Sequence, residues 1–423
     1  MSKNNGLLAA TLVMASSVAT AVDIEAVIGA GLEHTDNAFK ESANQRSELE
    51  QYLTADFQLD YTGTSLTANL DYSSSFVSYD KDTEEDETVV VGNGFVEYEQ
   101  IEQQLYWTLE NNRSNVIKDK SLVDVQGNRE DKSTTTIGSR FIARPSRADS
   151  ISTGLKYSEI SFEDSTLQDS DRATLSINWM RLLTKIDTLR LSGSYQDVNF
   201  DNNANEYEVY LLTIGYQVAL SKLSYSVDVG ANQAKRDQSD VDGGYFKLLA
   251  NYNHGGSEFS LVALQELTDT ARQDDEQGLD VFSDFDSIST EVDIFEITNL
   301  EVEYKNSLVC RSCEVRASFR YEAEDYETLA NDSEELSFET DFNYSLTRLL
   351  SLNVSVGYRE FSFTGGNPRE DYDLMAYDLG LSQQLGQSIS LSYFLGYEDR
   401  PSSGASKGYE EFRGGIGVKY RFD

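Results

Sequence analysis

The sequence predicts an all-β protein: a closed, up-and-down antiparallel barrel of about twenty strands that spans a membrane, with eighteen strands as the main alternative. Three observations predict it. The chain closes on an alternating, aromatic-tipped strand, it opens on an export-type leader, and between them alternating segments are joined by short and long polar connections in strict turn.

The leader is residues 1–21. Lys3 gives a weakly positive start, Leu7 to Val18 is a short apolar run, and Ala19-Thr20-Ala21 fits the small-x-small cleavage rule, so the mature chain is expected to begin near Val22. The run is too short for a transmembrane helix, and no later stretch approaches eighteen continuous apolar residues. This excludes a helical membrane protein and a cytoplasmic one. Residues 22–423 are expected to form a single domain with no separate plug.

Composition supports the barrel. Tyr 25 and Phe 20 are high, Pro is only 3, and a hydrophobic content of 39% is low for an ordinary core of 423 residues. A barrel wall resolves this, because half of each strand faces lipid and half faces water. Pro145, Pro368 and Pro401 all fall in polar connections, where no ladder needs their missing N–H. A formal net charge of −39 excludes a nucleic-acid partner, which would require a basic footprint.

The strands follow in order. Residues 24–34 form the first, and a polar loop runs through Thr35, Asp36 and Asn37 to Arg46. The second carries Leu53, Ala55, Phe57, Leu59 and Tyr61 on one face and Thr54, Asp56, Gln58 and Asp60 on the other. Thr62-Gly63-Thr64 turns the chain into the third. Short connections then recur near Glu99–Glu102, Pro145–Arg147, Leu182–Asp187, Leu220–Lys222, His254–Gly256, Lys305–Cys313, Thr347–Leu349 and Gln384–Ser388. Longer loops fall near 112–132, 163–170, 197–205, 233–243, 266–291, 324–333, 362–369 and 399–408. Short turns are assigned to the periplasm and long loops to the cell exterior, with outer-membrane lipid and lipopolysaccharide around the wall. The last strand, Gly415 to Asp423, is expected to pair with the first. Its Gly417-x-x-Tyr420-x-Phe422 looks like the signal by which the outer-membrane barrel assembly machinery recognises its substrates.

Charge divides by location. Asp80, Asp82, Glu84, Glu85, Asp86 and Glu87 form one acidic loop cluster; Glu266, Asp269, Asp274, Asp275, Glu276, Asp280, Asp284 and Asp286 form another in the longest loop. They read as a solvated rim, with divalent-cation binding as the sharper alternative; neither cluster has EF-hand spacing. On the polar wall, Arg140, Lys156, Arg172 and Arg190 suggest one basic patch, and Arg316, Arg320, Arg359, Arg413, Lys419 and Arg421 a second near the closure. Asp56, Asp60, Asp71, Glu301, Glu303, Glu339 and Asp341 are the acidic counterparts. Either they pair across strands, or opposed walls set a transverse field in a water-filled pore. Cys310 and Cys313 are expected to form a local disulfide at a periplasmic turn. With only His34 and His254, and no nucleophile elbow or phosphate loop, no enzyme, metal or cofactor is expected.

Gly31-Leu-Glu-His-Thr-Asp-Asn37 and the Arg400-Pro-Ser-Ser403 loop followed by Tyr409 resemble the ends of outer-membrane barrels encoded in exopolysaccharide operons, the EpsL-like or β-barrel porin-2 group. The resemblance spans the mature chain. It implies a passive conduit for a capsular or secreted polysaccharide, working with periplasmic and inner-membrane export proteins. The alternative is a general or selective diffusion porin for small polar solutes.

Overall fold

The computed structural model describes residues 21–422 apart from 82, 202–205, 237–239, 272–291, 311, 365–370 and 402–407. Twenty antiparallel strands form one sheet. They are β1 (Ala21–Thr35), β2 (Glu48–Thr62), β3 (Leu66–Tyr79), β4 (Glu87–Ile101), β5 (Leu105–Ile117), β6 (Arg129–Ala143), β7 (Asp149–Phe162), β8 (Ser170–Leu182), β9 (Asp187–Phe200) and β10 (Tyr207–Ala219). The second half comprises β11 (Leu223–Lys235), β12 (Asp240–His254), β13 (Ser257–Asp269), β14 (Ile294–Asn306), β15 (Cys313–Tyr326), β16 (Ser333–Thr347), β17 (Leu350–Phe363), β18 (Tyr372–Gln384), β19 (Ile389–Arg400) and β20 (Tyr409–Phe422).

Each strand pairs with its sequence neighbours, and β20 returns to β1 in a register running from Ala26↔Phe422 to Thr35↔Arg413. The ring is closed and every wall strand has two partners, which removes the unpaired edges that lipid would not tolerate. Twenty strands, rather than eighteen, is therefore the number. The strands run further than their hydropathy alternation suggested. The loop expected near 112–132 spans 118–128, and the turn expected at Glu99–Glu102 lies after Ile101. Above the membrane the outward face is no longer apolar, so periodicity fades there before hydrogen bonding does.

The outward face is apolar. Ile24, Ile28 and Leu32 on β1, Leu175 and Ile177 on β8, Leu212 and Ile214 on β10, and Ile416, Val418 and Tyr420 on β20 are all exposed. In water this would be a severe liability; around a closed barrel it is the lipid contact surface. The protein is a multi-pass β-barrel of the outer membrane. Tyrosines mark the extracellular boundary, where their hydroxyls reach carboxylates on the polar side of it. Tyr157 donates to Asp171 at 2.7 Å, and Tyr210 to Glu208 at 2.6 Å.

Turn chemistry agrees with position. Gly255 and Gly256 form a two-residue hairpin turn with φ of 61° and 84°, a conformation that β-carbons disfavour. Cys310 and Cys313 are joined by a disulfide in the β14–β15 turn.

Candidate functional site: a charged lumen narrowed by an inward loop

Alternation sends every second side chain inward, and the inward set is polar over the periplasmic half of the wall. Ser73 and Ser75, Ser176, Ser194, Ser226 and Ser392 share this face with the charged residues. All ten cations of the two expected basic patches, Arg140, Lys156, Arg172, Arg190, Arg316, Arg320, Arg359, Arg413, Lys419 and Arg421, lie on inward positions. They do not make bare basic patches. Arg140 meets Glu97 at 3.0 Å, Arg316 meets Glu303 at 2.6 Å, Arg320 meets Glu322 at 2.6 Å, Lys419 meets Asp56 at 3.0 Å and Arg421 meets Glu25 at 2.8 Å. Arg190 pairs with Asp228. Lys156 makes no ion pair among the described residues. The physical reason is local: inward residues on the same strand, the next strand or the next but one stand close enough for opposite charges to pair before a patch can form.

Arg172 is a special case. Both of its terminal nitrogens bond Asp269, at 2.9 and 2.8 Å, and Tyr207 donates to the same carboxylate. Arg172 is 3% and Asp269 1% exposed. Asp269, expected in an acidic loop, is thus the last residue of β13 and part of a buried bridge from β8, and Glu266 likewise lies within β13. Of the other loop carboxylates, Asp80, Glu85 and Asp86 are exposed, and Glu84 is half-buried. Asp82, Asp274, Asp275, Glu276, Asp280, Asp284 and Asp286 lie outside the described residues.

Around the buried bridge the extracellular end of the lumen holds an apolar core. Val116, Ile160, Phe162, Val198, Phe200, Tyr207, Ala234, Val241, Ala271 and Ile294 form one buried cluster, drawn from strands β5 to β14. No plug is expected from the sequence; among the described residues this core obstructs that half of the mouth. Its signal was available. On β7 the inward series Lys156, Ser158 turns apolar at Ile160 and Phe162, and on β9 Gln196 gives way to Val198 and Phe200.

The other half of the mouth is narrowed by the β5–β6 loop, residues 118–128, designated L3. Inside the loop, Asn128 Nδ2 donates to Asp119 O at 2.9 Å and Val123 O at 3.1 Å, and Arg129 grips Asp124 with two bonds of 2.6 and 2.9 Å. So folded, L3 crosses to the opposite wall. Lys120 Nζ lies 3.0 Å from Glu324 and 3.6 Å from Glu322 on β15. Tyr372 on β18 donates to Lys120 O at 3.1 Å. Arg400, at the end of β19, donates to Leu122 O and Ser121 O at 3.1 and 2.9 Å while its guanidinium stacks 3.6 Å from the Tyr372 ring centre. These strands are on the far side of the ring from β5 and β6, so the loop must span the lumen.

Between L3 and the β15–β20 wall lies a cavity of about 590 Å³. Cations and carboxylates line it as pairs: Arg359 with Glu335 at 3.0 Å, Arg413 with Asp378 at 3.1 Å, and Lys40 with Glu398 at 2.9 Å. Lys40 comes from the β1–β2 loop. Burial opposes its charge, but Glu398 and Glu411 outweigh that and hold its ammonium above the ordinary lysine range. A smaller cavity of about 260 Å³ sits at the periplasmic end of the β20–β1–β2 wall, beside Lys419, Arg421, Glu25 and Asp56. Among the described residues no group of three or more His, Cys, Asp or Glu side chains could hold a metal ion.

The two sequence motifs at the chain ends meet at the barrel seam. Asp36 N donates to Phe412 O at 3.2 Å and its carboxylate accepts from Phe412 N at 2.8 Å. Thr35 donates to Glu411 at 2.6 Å, and the fully buried Asn37 donates to Glu410 O at 2.9 Å. Gly31 and Gly417 are direct partners, and the Tyr52 ring lies over both, where a β-carbon on either would collide with it.

No protein-family model matches the chain, and no curated protein matches it in sequence. The resemblance to the exopolysaccharide-operon barrels therefore rests on those two short motifs alone. Among solved structures, the chain is similar to the loop L8 deletion mutant of OmpT, an outer membrane protein of Vibrio cholerae, at 12% identity and a TM-score of 0.40, over 96% of this chain and 100% of that one. It is also similar to Pseudomonas aeruginosa OccK2 (OpdF) in complex with glucuronate, at 11% identity and a TM-score of 0.40, over 95% and 99%. Pseudomonas aeruginosa OpdK with vanillate gives 9% identity and a TM-score of 0.39, over 95% and 98%. No solute or partner is carried over from likenesses this distant.

Proposed function

We propose that this barrel is a passive diffusion channel for small polar solutes, with the cavity beneath L3 as its selective segment. The observation that carries the reading is the inward L3, latched to β15, β18 and β19 by Lys120, Tyr372 and Arg400 beside a cavity lined with paired charges. Charges paired along one wall give a strong local field with little net charge. Such a field orders dipolar solutes and water rather than selecting one sign of ion.

This replaces the polysaccharide conduit expected from the sequence. Thr35, Asp36 and Asn37 are occupied in closing the barrel, and Arg400 in holding L3, so both motifs have structural work that requires no glycan. A latched loop across the lumen also disfavours passage of an extended polymer. Planar-bilayer recording of the purified protein tests the proposal. Discrete openings with weak ion selectivity, reduced by small zwitterionic solutes, are expected; a silent barrel, together with loss of surface glycan on gene deletion, would restore the conduit.

A further inference from the structure

The periplasmic turns carry a chemistry that the channel does not use. Among the described residues, Arg144, Arg147, Lys185, Lys222 and Arg348 fall in these turns against a single carboxylate, Glu102, in a chain whose net charge is −39. The extracellular loops hold the opposite balance. Arg147, Lys185 and Arg348 are exposed and make no ion pair among the described residues.

Large apolar side chains stand beside these cations. Leu183 and Ile186 flank Lys185, Leu220 precedes Lys222, and Leu346 and Leu349 bracket Arg348; Leu349 is 55% exposed and Leu308, in the disulfide-closed turn, 66%. A soluble-facing turn has no reason to expose leucine at this density. One step toward the membrane centre, the outward face carries Trp179 on β8, Tyr216 on β10 and Tyr252 on β12, the aromatic level of a bilayer boundary. The vertical order is aromatic, then leucine, then cation. It matches the order acyl boundary, glycerol level, phosphate.

We infer that the periplasmic rim is a binding collar for anionic phospholipid headgroups of the inner leaflet, with the leucines seated at the acyl boundary and the cations on phosphate. Charge complementarity selects the occupant: the exposed cations need an anion, and the leucines beside them need a bilayer rather than water. The collar is independent of what passes through the lumen.

The test uses the full mature chain folded into phosphatidylethanolamine vesicles with and without phosphatidylglycerol, followed by gentle detergent extraction and quantification of retained lipid. Wild-type protein is expected to retain phosphatidylglycerol about fivefold or more over its share in the vesicle, from the attraction of even one juxtamembrane cation. The enrichment should fall with added salt. The combined variant Arg147→Gln, Lys185→Gln, Lys222→Gln and Arg348→Gln should lose it, while Lys185→Arg with Lys222→Arg should keep it. Heat-modifiable migration checks that each variant is folded, and the salt dependence of the wild type stands if one is not. Lack of enrichment in the wild type, or enrichment unchanged in the folded glutamine variant, overturns the inference. So does binding of soluble polyglutamate to the inserted barrel without lipid enrichment, which would make the rim a protein-docking surface.

Discussion

Arg400 shows how much one side chain can decide in a barrel. Its two bonds to L3 carbonyls and its stack on Tyr372 make it a positioning residue for the constriction. Arg400→Ala should release L3, raise single-channel conductance and open the loop to protease while leaving the strands intact; unchanged conductance would deny L3 its narrowing role. Gly31 acts through what it lacks. Gly31→Val should cost about 1–3 kcal/mol by forcing the Tyr52 ring out of place, and Tyr52→Ser should recover most of it, read from the urea midpoint of the double-mutant cycle. Asp293, just before β14, accepts from the Thr328 and Leu329 amides at 2.8 Å each and from Arg236 at 3.1 Å. Burial alone would raise its pKa, but the amides and Arg236 outweigh this and lower it. A carboxyl depressed in the folded state stabilises above its unfolded pKa of about 3.9, and that stability is lost as pH falls through the folded value. The protection factors of the Thr328 and Leu329 amides, exchange rates corrected for the intrinsic pH dependence, should therefore be constant from neutral pH down to about 4 and fall only below it. Lys40 has the opposite sign. Its raised pKa keeps its stabilisation below the ordinary lysine value of about 10.4 and loses it as pH rises through the folded one.

Single elements divide between those whose role is local and those that act across the lumen. The strands belong to the first group. Period-two alternation is a property of each segment by itself, so Leu53 to Tyr61 on β2 or Leu175 to Trp179 on β8 could be assigned outward without knowledge of any neighbour. L3 belongs to the second. Nothing in residues 118–128 announces an inward fold, because its partners Glu324, Tyr372 and Arg400 lie more than two hundred residues away. The seam shows both behaviours. Pairing of β1 with β20 follows from the aromatic closing strand, but the Thr35–Asp36–Asn37 clasp is visible only once Glu410 to Phe412 stand beside it. Asn37→Ala should lower seam stability by about 2 kcal/mol, since it removes several bonds and leaves the Glu410 carbonyl without its donor. A lower temperature for conversion of the folded band on electrophoresis would register the loss.

At the level of the whole molecule, the barrel is asymmetric around its axis. An apolar core and the Arg172–Asp269 bridge fill the β5–β14 side, and the polar cavity lies on the β15–β20 side. The bridge joins strands that are not neighbours, so it braces the wall against ovalisation. Arg172→Ala would strand a buried carboxylate and should cost about 3–5 kcal/mol of unfolding free energy in vesicles. Arg140→Ala, whose pair with Glu97 is half-exposed, should cost below about 1 kcal/mol. A similar cost for both would mean that the bridge is solvated.

By itself, the sequence determined the strand alternation, the short-turn and long-loop rhythm, the outward apolar face, the pairing of the last strand with the first, and the inward position of the ten cations. These are consequences of neighbours along the chain and of a side-chain period of two. Tertiary structure alone decided what faces what across the lumen: that the cations are neutralised, that Asp269 is buried against Arg172, that L3 crosses to Arg400, and that apolar strand ends fill half the mouth. The reason is geometric. A local period tells a residue which side of the wall it occupies, but the partner it meets there is set by ring closure, which brings together residues that the sequence keeps hundreds of positions apart.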